Sequence, residues 1–113
     1  MPVCNRDLAQ IRIFFAKTIY VQAIPSGVDV LVSHQPPFGV LDEAGGSGKV
    51  YRYGSESLAQ RIHEVRPSYC LFGHVHAGYG MTERDGTVYV NAALMQDGGQ
   101  LNEPVIVRIE ESR

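Results

Sequence analysis

The sequence predicts a small α/β fold in which short parallel strands are joined through a helix. The chain has 113 residues, which is enough for one domain. Two short apolar runs, at 28–33 and 69–72, are typical of buried strands. An amphipathic helical pattern lies between them, at 55–65. The order strand, helix, strand predicts a right-handed βαβ unit with two adjacent parallel strands.

The N-terminal segment has apolar residues at helical spacing. Asn5 or Asp7 can serve as an N-cap, and a Pro-Ser-Gly turn follows the pattern. The β-branched and aromatic residues oppose a helix here, because they lose rotamer freedom in it. We nevertheless predict a helix within residues 5–24, and its apolar face consists of Leu8, Ile11, Phe15 and Ile19.

A long loop is predicted between the first strand and the helix. Two consecutive prolines interrupt regular structure after the strand, because they lack backbone N–H donors, and a Gly-Gly-Ser-Gly stretch follows. The loop runs over residues 34–54, and loops of this length are usually functional or mobile. Ser55 is the expected N-cap of the helix, which ends near Pro67.

The C-terminal third is predicted to be antiparallel. Residues 81–84 and 87–90 flank Asp85-Gly86, a dipeptide that favours a tight hairpin. Residues 104–109 form the last predicted strand, with no helix before it.

Composition excludes several classes of protein. The net charge is −2, so no basic surplus indicates binding to nucleic acid. No apolar run approaches the ~20 residues needed to span a bilayer, and the N-terminus lacks the layout of a signal peptide. Two cysteines, Cys4 and Cys70, cannot form a disulfide framework. We expect a soluble, cytoplasmic protein that binds neither nucleic acid nor membranes.

Three of the four histidines follow predicted strands. His34 comes directly after the first strand, and His74 and His76 come after the second. The carboxyl ends of neighbouring parallel strands meet at one cleft, and Gly73 is expected to let the backbone turn there. Imidazole is a ligand for Zn, Fe, Mn and Ni, so this cluster predicts a metal site. The competing interpretation is that each of the three histidines is a polar strand end. His63, on the helix, is expected to be a solvated residue.

These motifs resemble one enzyme family. The segments Ser-His-Gln-Pro-Pro at 33–37, Phe-Gly-His-Val-His at 72–76 and Asp-Gly-Thr-Val-Tyr-Val-Asn-Ala-Ala-Leu at 85–94 are similar to the C-terminal half of calcineurin-like metallophosphoesterases. They resemble most a small subgroup of metallophosphoesterase-domain-containing proteins, over residues 24–109. The resemblance implies that residues 1–113 form a single, N-terminally truncated domain. Its expected fold is part of a β-sandwich with flanking helices.

The resemblance also implies an activity and a set of site residues. The expected reaction is hydrolysis of phosphate esters, with phosphodiesters favoured, by a hydroxide activated on divalent Mn, Fe or Zn. By resemblance, His34 and His74 would bind the second metal ion and His76 the first. Asn91 would be structural or would support the ligands. The substrate would lie near a loop containing Gln35, Pro36 and Pro37.

Other motifs of the family are absent from this sequence. It has no Asp-x-His, no Gly-Asp and no Gly-Asn-His, so no catalytic residue can be assigned and the dinuclear site is expected to be incomplete. We therefore expect the chain to be inactive alone. It could be a fragment, a half-protein completed by another polypeptide, or a non-catalytic binding module on the same half-fold. An exposed sheet edge is expected as well, covered by a second copy or by a partner chain.

Overall fold

The computed structural model describes residues 3–6, 11–46, 48–96 and 99–111, which contain nine strands and one α-helix. The helix is α1 (Glu56–Val65), and 3₁₀ turns lie at Thr18–Ala23 and His76–Gly78. The strands are β1 (Val3–Arg6), β2 (Ile13–Ala16), β3 (Val30–Ser33), β4 (Glu43–Gly46), β5 (Lys49–Arg52), β6 (Tyr69–Phe72), β7 (Gly80–Arg84), β8 (Thr87–Asn91) and β9 (Arg108–Glu111).

One mixed sheet organises the molecule. Its five strands run in the order β2, β3, β6, β8, β7, and all neighbouring pairs are parallel except β7 with β8. Val30 pairs with Tyr69 across β3 and β6, and α1 lies between these strands in the chain. This confirms both the mixed α/β class and the predicted parallel strand pair. Two small ladders accompany the sheet: β1 with β9 is parallel, and β4 with β5 is antiparallel.

Helix α1 forms where its local signals predict it. The Ser55 hydroxyl accepts a hydrogen bond from the Leu58 N–H at 3.2 Å, which satisfies one of the free donors of the first turn. Arg66 ends the helix in a left-handed conformation with φ 54°. Leu58 and Ile62 are buried in the core against the sheet, together with Leu31 and Cys70 on β3 and β6. The core thus lies between α1 and the strands that carry the histidines.

The predicted N-terminal helix is wrong. Residues 13–16 form a strand, residues 18–23 form a 3₁₀ turn, and residues 7–10 lie outside the described parts of the chain. The physical reason is pairing: Ile13 lies beside Val30 in a parallel ladder. β-Branched and aromatic side chains fit a pleated surface better than a helix.

Three further predictions need correction. The loop predicted over residues 34–54 contains the β4–β5 hairpin. The hairpin at Asp85-Gly86 is confirmed, with φ values of 52° and 84° that suit a tight turn. The rest of the C-terminal third is not antiparallel, because β8 runs parallel to β6 and β9 runs parallel to β1. The last strand begins at Arg108 rather than at residue 104.

Strand β2 forms one edge of the main sheet. Phe15 is 75% exposed and Ile13 is 56% exposed, and both lie on the same face because they are two residues apart.

No helix in the described ranges is long and apolar enough to cross a bilayer.

Cys70 is expected to resist alkylation in the native protein. Burial raises the pKa of its thiol from 9.0 to about 12, so the reactive thiolate is scarce at neutral pH. Mass spectrometry of the Cys70 peptide after iodoacetamide treatment at pH 8 should show labelling only after denaturation. Equal labelling of the native and denatured chains would contradict this burial.

The same pKa shift predicts a loss of stability in alkali. The thiol loses its proton more readily in the unfolded chain than in the folded chain. Its contribution to the free energy of unfolding is therefore complete below pH 9 and declines as the pH rises toward 12. The slope from this group approaches about 1.4 kcal/mol per pH unit. Urea unfolding at several pH values should show a shallower decline for Cys70→Ala.

Candidate metal centre

The site lies at the carboxyl ends of three neighbouring parallel strands. His34 directly follows β3, His74 follows β6 by two residues, and Asn91 is the last residue of β8. The Gly73 N–H donates to the His34 carbonyl oxygen at 3.2 Å, which joins the ends of the first two strands. The sheet therefore brings residues far apart in sequence to one edge, as expected for ligand sites in open α/β sheets.

His34 and His74 form a close pair. Their ring centroids are 4.6 Å apart and their planes are inclined by 42°. Both residues are exposed to solvent. A Zn–N bond measures about 2.0–2.1 Å, which places two imidazole nitrogens on one ion within about 4 Å of each other. Two imidazole rings at this separation could hold one divalent ion between them, since imidazole is a common metal ligand.

His76 lies beside the pair but is not part of it. It begins the 3₁₀ turn, is half-buried, and lines a cavity of about 270 Å³ together with His74, Val75, Ala44 and Tyr53. Throughout the described ranges, no group of three or more His, Cys, Asp or Glu side chains is arranged to hold a metal ion. The described residues thus give a close pair of histidines, and the third histidine borders the same cavity as His74.

The backbone turn before the second histidine is made by His74 and not by Gly73. His74 has φ 70°, whereas Gly73 is absent from the residues with positive φ. A Cβ atom on Gly73 would meet Ala93 at an ordinary 3.7 Å. The expectation that Gly73 supplies the turn is therefore wrong, because the left-handed conformation falls one residue later.

Asn91 ties the two loops around the histidines to the sheet. It is fully buried, and its Nδ2 donates to the carbonyl oxygens of Leu41 and Val75, both at 2.9 Å. Its Oδ1 accepts from the Ala93 N–H at 3.0 Å. Val75 separates the two histidines of the second motif, so Asn91 positions that segment without facing solvent.

The two prolines after His34 are internal. Pro36 and Pro37 are fully buried, whereas Gln35 is half-buried. The Pro36 carbonyl oxygen accepts from the Ser55 N–H at 2.9 Å, so the segment is attached to the start of α1. In this arrangement the prolines fix the path of the loop, and Gln35 is the member of the predicted substrate loop with accessible surface.

Asp42 is an organising residue that the sequence interpretation missed. It is fully buried, and its carboxylate accepts from the N–H groups of Gly39 and Gly54 at 2.9 and 3.1 Å and from Arg52 Nη1 at 2.9 Å. These bonds close the segment that contains the β4–β5 hairpin. The available signal was an aspartate three residues after a glycine, a pairing typical of turns held by side-chain oxygens.

Comparison with known proteins gives relatives but no family profile: the scan against protein-family profiles finds no match. The chain is 37% identical to metallophosphoesterase domain-containing protein 1 of Homo sapiens over 92 residues, which is 80% of this chain and 28% of that protein. A UPF0046 protein of Caenorhabditis elegans is 35% identical over 86 residues, or 76% of this chain and 28% of its own length. A second UPF0046 protein from that organism is 41% identical over 88 residues, which is 76% of this chain and 22% of that protein. The chain thus spans about a quarter of the length of the curated relatives it matches.

Proposed function

The chain is a metallophosphoesterase-related sequence, and from that premise we propose that it carries the histidine part of a metal-dependent phosphoesterase site. His34 and His74 are the proposed ligands of one divalent ion, and His76 is proposed to face a neighbouring ion or the substrate. The proposed substrates are phosphate esters, with phosphodiesters as the favoured class. Mn, Fe and Zn are the candidate ions, since imidazole binds all three.

The observation that carries this proposal is the 4.6 Å spacing of the His34 and His74 rings. Each ring follows a different strand of a parallel pair, so the spacing depends on the sheet and not on local sequence. A divalent ion held there would supply positive charge to polarise a phosphoryl oxygen and lower the pKa of a water molecule.

In this proposal, the other residues around the histidines position the ligands and shape the space for the substrate. Asn91 holds the Val75 carbonyl and thereby fixes the segment between His74 and His76. The cavity of about 270 Å³ beside these two histidines gives a phosphoryl group space to approach them. Tyr53, which directly follows the β4–β5 hairpin, borders the same cavity and is about half exposed, so it can cover one side of a bound ester.

Metal binding is the direct test. Calorimetric titration of the 113-residue chain with Mn²⁺ and with Zn²⁺ should show binding that weakens at least about tenfold in His74→Ala, because each imidazole is one of few donors. His63→Ala is the matched control, since His63 is exposed on α1 and borders a different cavity. Equal affinity in the wild type and in His74→Ala would overturn the assignment.

Hydrolysis separates catalysis from binding. A chromogenic phosphodiester is incubated with the chain, with and without Mn²⁺, beside His74→Ala. Metal-dependent turnover that disappears in the variant would support a working phosphoesterase. Histidine-dependent metal binding without turnover would support the second candidate, a non-catalytic binding module, which is favoured by the lack of a three-ligand group in the described residues.

A further inference from the structure

A second cavity lies on the other side of the segment that carries His76. Its volume is about 330 Å³, and we call it the arginine cavity after Arg52 and Arg84, which border it with Tyr79 and Gly78. Glu43 and Ala77 line this cavity. Their chain neighbours Ala44 and His76 line the cavity of about 270 Å³ described above, which we call the histidine cavity. The two cavities therefore share a wall formed by β4 and the 3₁₀ turn.

The two arginines differ in how their charges are compensated. Arg52 donates to the buried carboxylate of Asp42 at 2.9 Å and also forms an ion pair with Glu43. Arg84 donates to the neutral carbonyl oxygen of Gly39 at 2.9 Å, and it has no ion pair among the residues that the structure describes. A guanidinium has five N–H donors, so Arg84 retains positive charge and donors for a ligand.

Two residues of the cavity wall are held in place by their own contacts. Gly78 brings the 3₁₀ turn close to Leu41, where a Cβ atom would meet the Leu41 carbonyl oxygen at 2.0 Å. Tyr79 is held by a hydrogen bond from its hydroxyl to the Glu103 carbonyl oxygen at 2.6 Å. These parts of the wall are therefore fixed by a backbone contact and by a hydrogen-bonded aromatic ring, and Arg84 adds a cationic group to the lining.

We infer that the arginine cavity binds a phosphate group, and that this group is a second phosphate on one ester arm of the substrate. The inference rests on the proposed function for the first phosphate, which would lie across the shared wall at the histidines. Arg84 is then a specificity-determining residue: esters with a phosphorylated arm gain a charge-assisted, forked hydrogen bond that neutral arms cannot form.

Phosphate binding can be tested without metal. Inorganic phosphate is titrated into the 113-residue chain in the presence of a chelator, and backbone amide shifts are followed by NMR. We expect saturable shifts at Gly39, Gly78 and Tyr79, with affinity at least about tenfold weaker in Arg84→Gln, as for loss of one charge-assisted bond. Arg84→Lys should retain part of the affinity, because it keeps the charge and loses the fork.

Two variants control the location. Arg12→Gln should bind as the wild type, because Arg12 is exposed and borders neither cavity. Arg66→Gln tests a smaller cavity of about 140 Å³ that Arg66 shares with Arg84. Loss of binding in both Arg66→Gln and Arg84→Gln would assign phosphate to that smaller cavity and overturn the inference. Unchanged affinity in Arg84→Gln would overturn it too.

Failure of the inference and failure of the proposed function are distinguishable. His74→Ala should weaken metal binding at least about tenfold and leave phosphate binding in chelator intact. If the wild type binds phosphate at Gly78 and Tyr79 but takes up no metal, the phosphate site in the arginine cavity is supported and the proposed metal site is overturned. If the wild type binds metal but no phosphate, the metal site is supported and the phosphate site is overturned.

Discussion

Gly78→Ala should lower the free energy of unfolding by about 3 kcal/mol, at the upper end of the range for overpacking. A Cβ atom at this position would lie 2.0 Å from the Leu41 carbonyl oxygen and 2.8 Å from Asn91 Nδ2. These two atoms are hydrogen-bonded to each other at 2.9 Å, so the new methyl group would push into an existing bond. Backbone and a buried side chain cannot move aside as an exposed side chain can.

Urea unfolding followed by circular dichroism measures this change. Gly73→Ala is the matched control, because its Cβ atom would meet only ordinary contacts at 3.7 Å and its φ is not positive. That variant should be as stable as the wild type or slightly more stable, through the reduced entropy of the unfolded chain. Equal stability of Gly78→Ala and Gly73→Ala would show that the 3₁₀ turn does not approach Leu41 in this way.

Asp42→Ala should destabilise the chain by about 3 kcal/mol, because it removes the acceptor of three hydrogen bonds at a buried position. The N–H groups of Gly39 and Gly54 would lose their partner, and Arg52 would lose its buried counter-ion. Buried donors that lose a partner carry the full cost of desolvation. The segment that closes over the histidine cavity would be the first to open.

Glu43→Ala is the matched control for Asp42→Ala. Glu43 pairs with the same arginine, but its side chain is 54% exposed while that of Asp42 is fully buried. An exposed ion pair contributes at most about 1 kcal/mol, so this variant should stay close to the wild type. Thermal unfolding measures the loss of stability in each variant. Equal losses in Asp42→Ala and Glu43→Ala would mean that the burial of Asp42 does not determine how much it stabilises the fold.

The elements that the sequence predicted well are those with local causes. The cap at Ser55, the apolar spacing of Leu58 and Ile62, and the stop near Pro67 all lie within one short segment and define α1. Strand β2 is different, because its partner β3 follows seventeen positions later, at Val30 beside Ile13. Helical spacing in the same residues pointed to another structure, and only the non-local ladder decides between the two.

The site residues also divide into those that the sequence could predict and those that depend on non-local contacts. The pairing of His34 with His74 could be predicted, because parallel neighbours end at one edge of a sheet. The position of His76 and the role of Asp42 could not, because they depend on how loops 39–42 and 75–78 approach each other. That approach is set by Gly78 and Asn91, whose importance lies in contacts with residues distant in the sequence.

The left-handed backbone at His74 opposes the stability of the fold to the proposed metal binding at the same position. A residue with a Cβ atom loses roughly 1 kcal/mol in this conformation, whereas glycine adopts it freely. With φ 70° at His74, a glycine there would make the chain easier to fold and would also remove the ring that faces His34. Such a trade-off between stability and activity is typical of residues kept for their chemistry. Folding alone would favour glycine at position 74, which agrees with the proposed role of the His74 ring as a metal ligand.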